Sequence, residues 1–222
     1  VVVLSDIWKQ IVAEVLPDTA IEVIYNPVLD IGSGAPRRDL ATGRVLYLAH
    51  LIERKGYLDL IAAFGEVARE IKDSRLVFCG SGEEQKARDY CARLGIAESV
   101  EFRGWVSDRE KVDELRKACV FCLPSYDEGL PMGVLEAMSA GVPVVTTPVG
   151  GIPDVLRHEE NALLFEPGDV PKLRDCLIRL INDRDLQRML AARALADSER
   201  FRPDRIASDW ITLYKRLDRG KS

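Results

Sequence analysis

The stretch 118–146 reads ACVFCLPSYDEGLPMGVLEAMSAGVPVVT, and it decides the fold class of the chain. Two apolar runs, at 119–123 and 142–146, are separated by a turn-rich loop and by a helical segment predicted at 133–140. Apolar runs of this length without alternation are typical of strands that helices cover on both faces. The stretch therefore predicts a strand–helix–strand unit whose two strands run parallel.

The same alternation of apolar runs and helical segments continues in both directions along the chain. Further apolar runs predict strands at 44–49, 75–79, 99–103 and 161–165. Helices are predicted between and after them, at 57–72, 83–94, 108–118, 152–157, 170–182, 184–199 and 203–218. This alternation indicates an α/β protein with a Rossmann-like, doubly wound parallel sheet.

The first 26 residues have an organisation of their own. We predict a strand at 1–4, a helix at 6–16 capped by Ser5, and a short strand at 21–25. Residues 28–43 are rich in turn formers and show no clear period, which is typical of a linker. The chain begins with Val inside an apolar run, so we expect it to be part of a longer protein.

Composition narrows the function classes. The chain has 222 residues, of which 36 are acidic and 31 basic, and 47% are apolar. This balance is typical of a soluble globular protein and excludes a disordered chain, a collagen and a strongly basic nucleic-acid binder. No apolar stretch approaches the roughly 18 residues that a membrane-spanning helix needs.

The five cysteines are predicted to be buried free thiols of a cytoplasmic protein, since their number is odd and most lie in apolar runs. Cys119 and Cys122 form a single Cys-x-x-Cys within a predicted strand. A zinc site needs about four ligands, and the chain has only two histidines and no second cysteine pair. We therefore predict no metal site.

In an open parallel sheet, ligands bind beyond the carboxyl ends of the strands. The loop after the first strand of the regular part carries His50, Arg54 and Lys55, and it leads into a helix. A lysine near a helix start is unfavourable because its charge opposes the helix dipole. Its position is explained if it faces a bound anion such as a phosphate. A solvated surface lysine is the alternative interpretation.

The loop after the second strand contains Gly80-Ser81-Gly82. Paired glycines let the backbone approach a ligand closely, but Gln85 stands where a dinucleotide fingerprint has its third glycine. A tight turn with Ser81 capping the next helix is the simpler interpretation. A methyltransferase or dehydrogenase that uses this turn remains a less favoured alternative.

The loop from 124 to 132 carries the most informative pattern. Glu128 lies in the loop, and Glu136 is predicted in the first turn of the following helix. The backbone amides of Met132, Gly133 and Val134 are predicted to form an anion site between these two carboxylates. The two carboxylates can accept hydrogen bonds from hydroxyl groups on either side of the anion site. This arrangement fits a ligand in which a diphosphate joins a sugar to a ribose. Dipole complementation by Glu136 and simple solvation of Glu128 are the alternatives.

At this point the motifs resemble a known family. Residues 128–138 (EGLPMGVLEAM), 139–145 (SAGVPVV) and 150–154 (GGIPD) are similar to motifs of the family 4 retaining glycosyltransferases (glycosyl transferase group 1) of GT-B fold. The resemblance implies the C-terminal, donor-binding half of a two-domain enzyme. It divides the chain into an N-terminal-domain remnant (1–26), a hinge (27–43), a nucleotide-sugar-binding domain (44–200) and a crossover helix (201–222).

The resemblance also implies roles for individual residues. Lys55 and Glu128 are implied as catalytic, Lys55 on the diphosphate and Glu128 on the donor sugar, and Glu136 is implied to bind the ribose. Further substrate-binding positions are His50, Arg54, Gly80, Val106, Gly129, Leu130, Met132, Gly133 and Val134. The implied reaction needs neither a cofactor nor a metal, since a nucleotide-diphosphate sugar is the donor substrate.

Two features leave alternatives open. His50 stands where the family usually has Arg, which favours a non-catalytic nucleotide-sugar-binding or regulatory module as the alternative function. From Arg200 onward the chain carries seven basic and three acidic side chains. This tail fits either a solvated helix face or peripheral contact with the inner face of a membrane. The acceptor is expected to bind mainly to the N-terminal domain outside this chain, so we expect no transfer by this fragment alone.

Overall fold

The computed structural model describes residues 1–31 and 43–219, and a six-stranded parallel sheet forms its centre. The strand order is β5-β4-β3-β6-β7-β8. The strands are β3 Arg44–Leu48, β4 Arg75–Cys79, β5 Val100–Phe102, β6 Val120–Leu123, β7 Val144–Thr146 and β8 Leu163–Leu164. All neighbours pair in parallel, which confirms the doubly wound, Rossmann-like α/β fold.

Of the α-helices that follow β3, the first four connect consecutive strands up to β7, and the last three come after β8. They are α2 Tyr57–Glu70, α3 Glu84–Leu94, α4 Asp108–Lys117, α5 Met132–Ser139, α6 Val170–Asn182, α7 Arg184–Ser198 and α8 Pro203–Arg219. Every residue of β6 is buried, so side chains on both of its faces pack against helices. The core therefore extends over both faces of the sheet. Because the strands are parallel, their carboxyl ends lie along one common edge.

One predicted helix is wrong. Residues 152–157 were predicted as helical, but only a short 3-10 turn forms, at Ile152–Asp154. The amide of Arg157 donates to the side-chain oxygen of Asn161 at 2.7 Å, so this backbone group is used by a turn rather than by a helix. Asn161 is fully buried, and its side-chain amide also donates to the carbonyl of Val155.

The N-terminal segment forms a small unit of its own. Strands β1 (Val2–Val3) and β2 (Glu22–Val23) pair in parallel, and α1 (Asp6–Val15) lies between them in sequence. Ser5 caps α1, as predicted, by accepting a hydrogen bond from the amide of Trp8 at 3.2 Å. The C-terminal helix α8 packs Ile206 and Leu213 against this unit. Residues 32–42, which make up most of the predicted hinge, lie outside the described residues.

All five cysteines are buried free thiols, as predicted. Burial raises the pKa of Cys91 and of Cys176 to about 11. Since the thiolate is the reactive form, these thiols are chemically inert at neutral pH. Within 1–31 and 43–219, no helix is long and apolar enough to cross a membrane.

Candidate functional site

The direction of chain progression reverses between β3 and β6. From β3 the chain continues to β4 and β5 on one side, and from β6 to β7 and β8 on the other. A crevice forms at the carboxyl ends of the strands at such a switch point, and ligands bind there. The loops that follow β3 and β6 carry Lys55 and Glu128, so the topology brings the two predicted catalytic residues to this crevice.

The two loops pack directly on each other. Gly56 has a φ of +68°, and a Cβ atom there would lie 1.9 Å from the carbonyl oxygen of Pro124. Only glycine allows this approach. The amide of Tyr126 also donates to the carbonyl of Arg54 at 2.8 Å. The loops therefore hold each other in place at the centre of the crevice.

Lys55 and Glu128 form a buried ion pair. The Lys55 Nζ lies 2.6 Å from each carboxylate oxygen of Glu128, and the side chains are 14% and 4% exposed. Ser125, also buried, donates its hydroxyl to Glu128 Oε1 at 2.6 Å. Glu128 is therefore not solvated, and the alternative interpretation for it is wrong. A buried ion pair contributes little net stability, and charged groups of this kind in a crevice are candidates for a functional site.

Beside this pair lies the N-terminus of α5, which begins after Pro131. A Cβ atom at Gly133 would lie 2.9 Å from the carbonyl oxygen of Leu48, so the helix start sits directly over the end of β3. Among the described residues, the amides of Met132 and Gly133 have no hydrogen-bond acceptor, whereas the amide of Val134 donates to Pro131 at 3.1 Å. Two of the three predicted amides are thus available to bind an anion.

The sequence predicts Glu136 in the first turn of α5, but Glu136 is the fifth residue of that helix and lies beyond its first turn. The helix begins one residue earlier than predicted, at Met132, so Glu136 does not complement the helix dipole. It is 8% exposed, and its Oε1 accepts a hydrogen bond from the Lys111 Nζ at 2.6 Å. Burial raises the pKa of Glu136, and the hydrogen bond from Lys111 opposes that rise.

His50 lies on the open wall of the crevice. Its Nδ1 is 3.3 Å from the carbonyl oxygen and 3.4 Å from the hydroxyl of Ser81. Ser81 therefore faces His50, and the prediction that it caps α3 is wrong, because no side chain caps that helix. The His50 ring centroid is 6.4 Å from that of Trp105, which is 77% exposed. Both rings are exposed and are tilted by 35° relative to each other.

The remaining predicted positions border the same crevice to different degrees. Arg54 is exposed and lies 3.5 Å from the carbonyl of Asp127. Leu130 is buried and packs in the core. The other positions are half-buried at the ends of the loops: Gly80, Val106 and Gly129.

Sequence reasoning missed two residues here. Lys111 carries a signal similar to that of Lys55, a cation near the start of a helix, but it was not singled out. Trp8 reaches the crevice from α1, and its Nε1 lies 4.0 Å from the Cβ position of Gly129. This indole nitrogen is buried and has no acceptor among the described residues. Nothing in the local sequence signals that contact.

Comparison with known proteins adds independent information. The family model of glycosyl transferases group 1 matches residues 36–197. The chain is 32% identical over 219 residues to an exopolysaccharide phosphotransferase of Streptomyces coelicolor, which covers 97% of this chain and 23% of the relative. It is 30% identical over 221 residues to a phosphatidyl-myo-inositol mannosyltransferase of Mycobacterium leprae, covering 96% of this chain and 58% of the relative.

The fold has close counterparts among solved structures. S. aureus TarM, crystallised with UDP among other ligands, superposes with a TM-score of 0.87 at 19% identity, covering 96% of this chain and 43% of that one. A likeness at this identity shows the shared α/β fold. This chain spans less than two thirds of the length of these relatives.

Proposed function

Because this chain belongs to the glycosyl transferases group 1 family, we propose that it is the donor-binding half of a retaining hexosyltransferase. The enzyme would move a sugar from a nucleotide-diphosphate sugar to a glycan, lipid or small-molecule acceptor. One observation carries the proposal: a buried Lys55–Glu128 ion pair lies beside open amides at the switch point of the sheet.

The diphosphate is the natural partner for this arrangement. The amides of Met132 and Gly133 bind phosphate oxygens, and the dipole of α5 favours the negative charge. Lys55 turns from Glu128 toward the diphosphate and stabilises the charge that grows on it as the sugar bond breaks. Glu128 then accepts hydrogen bonds from the sugar hydroxyls in place of Lys55.

The nucleoside lies on the other side of the amides. In the proposal Glu136 accepts hydrogen bonds from the ribose hydroxyls. The base lies near Val106, beside the accessible rings of His50 and Trp105. His50 contributes a positive charge to the phosphate clamp only when it is protonated, unlike an arginine at that position. Arg54 is the nearby side chain that supplies a permanent charge.

The proposal extends to the whole protein. We propose that it works in the cytoplasm or at the inner face of a membrane, in carbohydrate or polysaccharide biosynthesis. It needs no cofactor or metal, and the acceptor binds mainly to residues outside this chain. The fragment alone binds nucleotide weakly and transfers nothing.

The test uses the full-length protein and a panel of UDP-, GDP- and ADP-sugars with acceptors. Lys55→Ala and Glu128→Ala should each abolish transfer, because the leaving group and the sugar lose their main contacts. Lys117→Ala serves as the control, since Lys117 lies at the far end of α4, away from the crevice. Wild-type turnover by Glu128→Ala would overturn the assignment. Binding of nucleotide sugars without transfer of any would support the non-catalytic module instead.

A further inference from the structure

Lys111 occupies a position that its own helix does not favour. It is the fourth residue of α4, where a cation opposes the partial positive charge of the helix start. Two carboxylates offset this cost: the Nζ lies 2.6 Å from Glu136 Oε1 and 3.1 Å from Asp108 Oδ1. Glu136 belongs to α5, so this ion pair joins two helices at the edge of the crevice.

The pair uses only half of the Glu136 carboxylate. Among the described residues, Oε1 is bound by Lys111, and no hydrogen-bond partner contacts Oε2. The side chain of Glu136 is only 10% exposed, and that of Lys111 is 22% exposed. One carboxylate oxygen is therefore fixed by the protein, while the other remains able to accept a hydrogen bond from a ligand.

The charge on Glu136 also depends on this contact. Lys111 and Asp108, both on α4, are the charged groups that face Glu136 within the described part of the chain. Burial raises the Glu136 pKa and Asp108 raises it further, whereas Lys111 is the group that lowers it. Removal of Lys111 would therefore raise the pKa of Glu136 further.

We propose that Lys111 is a positioning residue for ribose recognition, which holds one oxygen of Glu136 so that the other accepts the ribose hydroxyls. This inference rests on the proposed function, in which Glu136 binds the ribose of the donor. Lys111 does not contact the reacting sugar. It acts by fixing the orientation of the Glu136 carboxylate and by favouring its ionised form.

The experiment compares ribonucleotides with their 2′-deoxy forms. UDP, GDP and ADP and their deoxy counterparts are titrated calorimetrically into the 222-residue chain at several pH values between 6 and 8. The ratio of the two Kd values isolates the hydroxyl, because both ligands share the base and the titrating phosphate. We expect the wild type to prefer the ribonucleotide by about tenfold.

Lys111→Met should reduce this preference to about twofold, because the Glu136 carboxylate is no longer held in one orientation. The loss should be larger at pH 6 than at pH 8, since removal of Lys111 raises the Glu136 pKa further. Lys111→Arg keeps the ion pair and should retain most of the preference. Lys117→Met is the matched control. Like Lys111, Lys117 pairs with a buried glutamate, but its partner Glu114 belongs to α4 and the pair lies away from the crevice. If Lys111→Met does not fold, Lys111→Gln removes the charge with a smaller change.

The outcomes separate the two proposals. A wild-type ribose preference that Lys111→Met and Lys111→Gln leave unchanged at every pH would overturn the role of Lys111 and leave the proposed function intact. A wild-type chain that binds ribose and deoxyribose forms equally would overturn the role of Glu136, and that of Lys111 with it. Absence of binding to every nucleotide would overturn the proposed function itself.

Discussion

A methyl group added at Gly133 tests the packing that places the anion site. In Gly133→Ala the new Cβ would lie 2.9 Å from the carbonyl oxygen of Leu48 and 3.2 Å from the Phe121 ring. Both neighbours are held in the sheet, so α5 has to move by about half an ångström to reach an ordinary contact distance. Overpacking of this kind costs about 1–3 kcal/mol.

Alanine also favours helix, by up to about 1 kcal/mol over glycine. The net expectation for Gly133→Ala is therefore a loss of about 1–2 kcal/mol in the free energy of unfolding, measured by urea denaturation. Because the shift moves the amides of Met132 and residue 133, the affinity for a nucleoside diphosphate should also fall several-fold. Calorimetric titration of the same protein measures that change.

Gly65→Ala supplies the matched control in another helix. Gly65 lies within α2, and its Cβ would lie 3.4 Å from Leu94 Cδ1 and 3.9 Å from Ile96 Cδ1. Because these are ordinary contact distances, this variant should be unchanged or more stable by up to about 1 kcal/mol, with unaltered nucleotide affinity. If Gly133→Ala matches the wild type in both stability and affinity, the close approach of α5 to β3 does not position the anion site.

Two further perturbations test the ion pairs. Burial raises the pKa of Glu114, but the hydrogen bonds from Arg44 (2.5 Å) and Lys117 (3.1 Å) outweigh it and leave the pKa lowered. Glu114→Gln should therefore destabilise the protein by about 2–4 kcal/mol at pH 7, with the difference from wild type shrinking as the pH falls below about 4.3. Equal losses at pH 7 and pH 3.5 in urea unfolding would contradict this. Ser125→Ala removes the hydroxyl that donates to Glu128 and should cost about 1–2 kcal/mol. It should also lower turnover of the full-length enzyme, and unchanged turnover would show that Ser125 does not orient Glu128.

The fold was largely predictable because each apolar run of the sheet is continuous and each helix has a clear period. The prediction failed at 152–157, where the first three residues form a 3-10 turn and the amide of Arg157 donates to the side chain of Asn161. That competition depends on a side chain four residues beyond Arg157. Local propensity does not report such a contact, so the sequence alone gave no warning of it.

The part of the site that depends on the strand order was predictable from the sequence. Lys55 and Glu128 lie 73 residues apart, yet both follow strands at the switch point, so their meeting follows from the strand order. The pairing of Glu136 with Lys111 did not follow, because it depends on how α4 crosses the sheet edge and on which turn of α5 carries the carboxylate. Trp8 lies on a separate unit, and only the packed structure shows where it docks.

The burial of all five native thiols has a practical consequence. Because all five side chains are buried, they will not compete for a maleimide reagent in the folded chain, and burial also raises the pKa of Cys79 to about 12. A cysteine introduced on the exposed edge of the crevice, for example by Arg54→Cys, would then be the single site of labelling in the folded chain. A fluorophore placed there would report on occupancy of the crevice without any need to remove the natural cysteines.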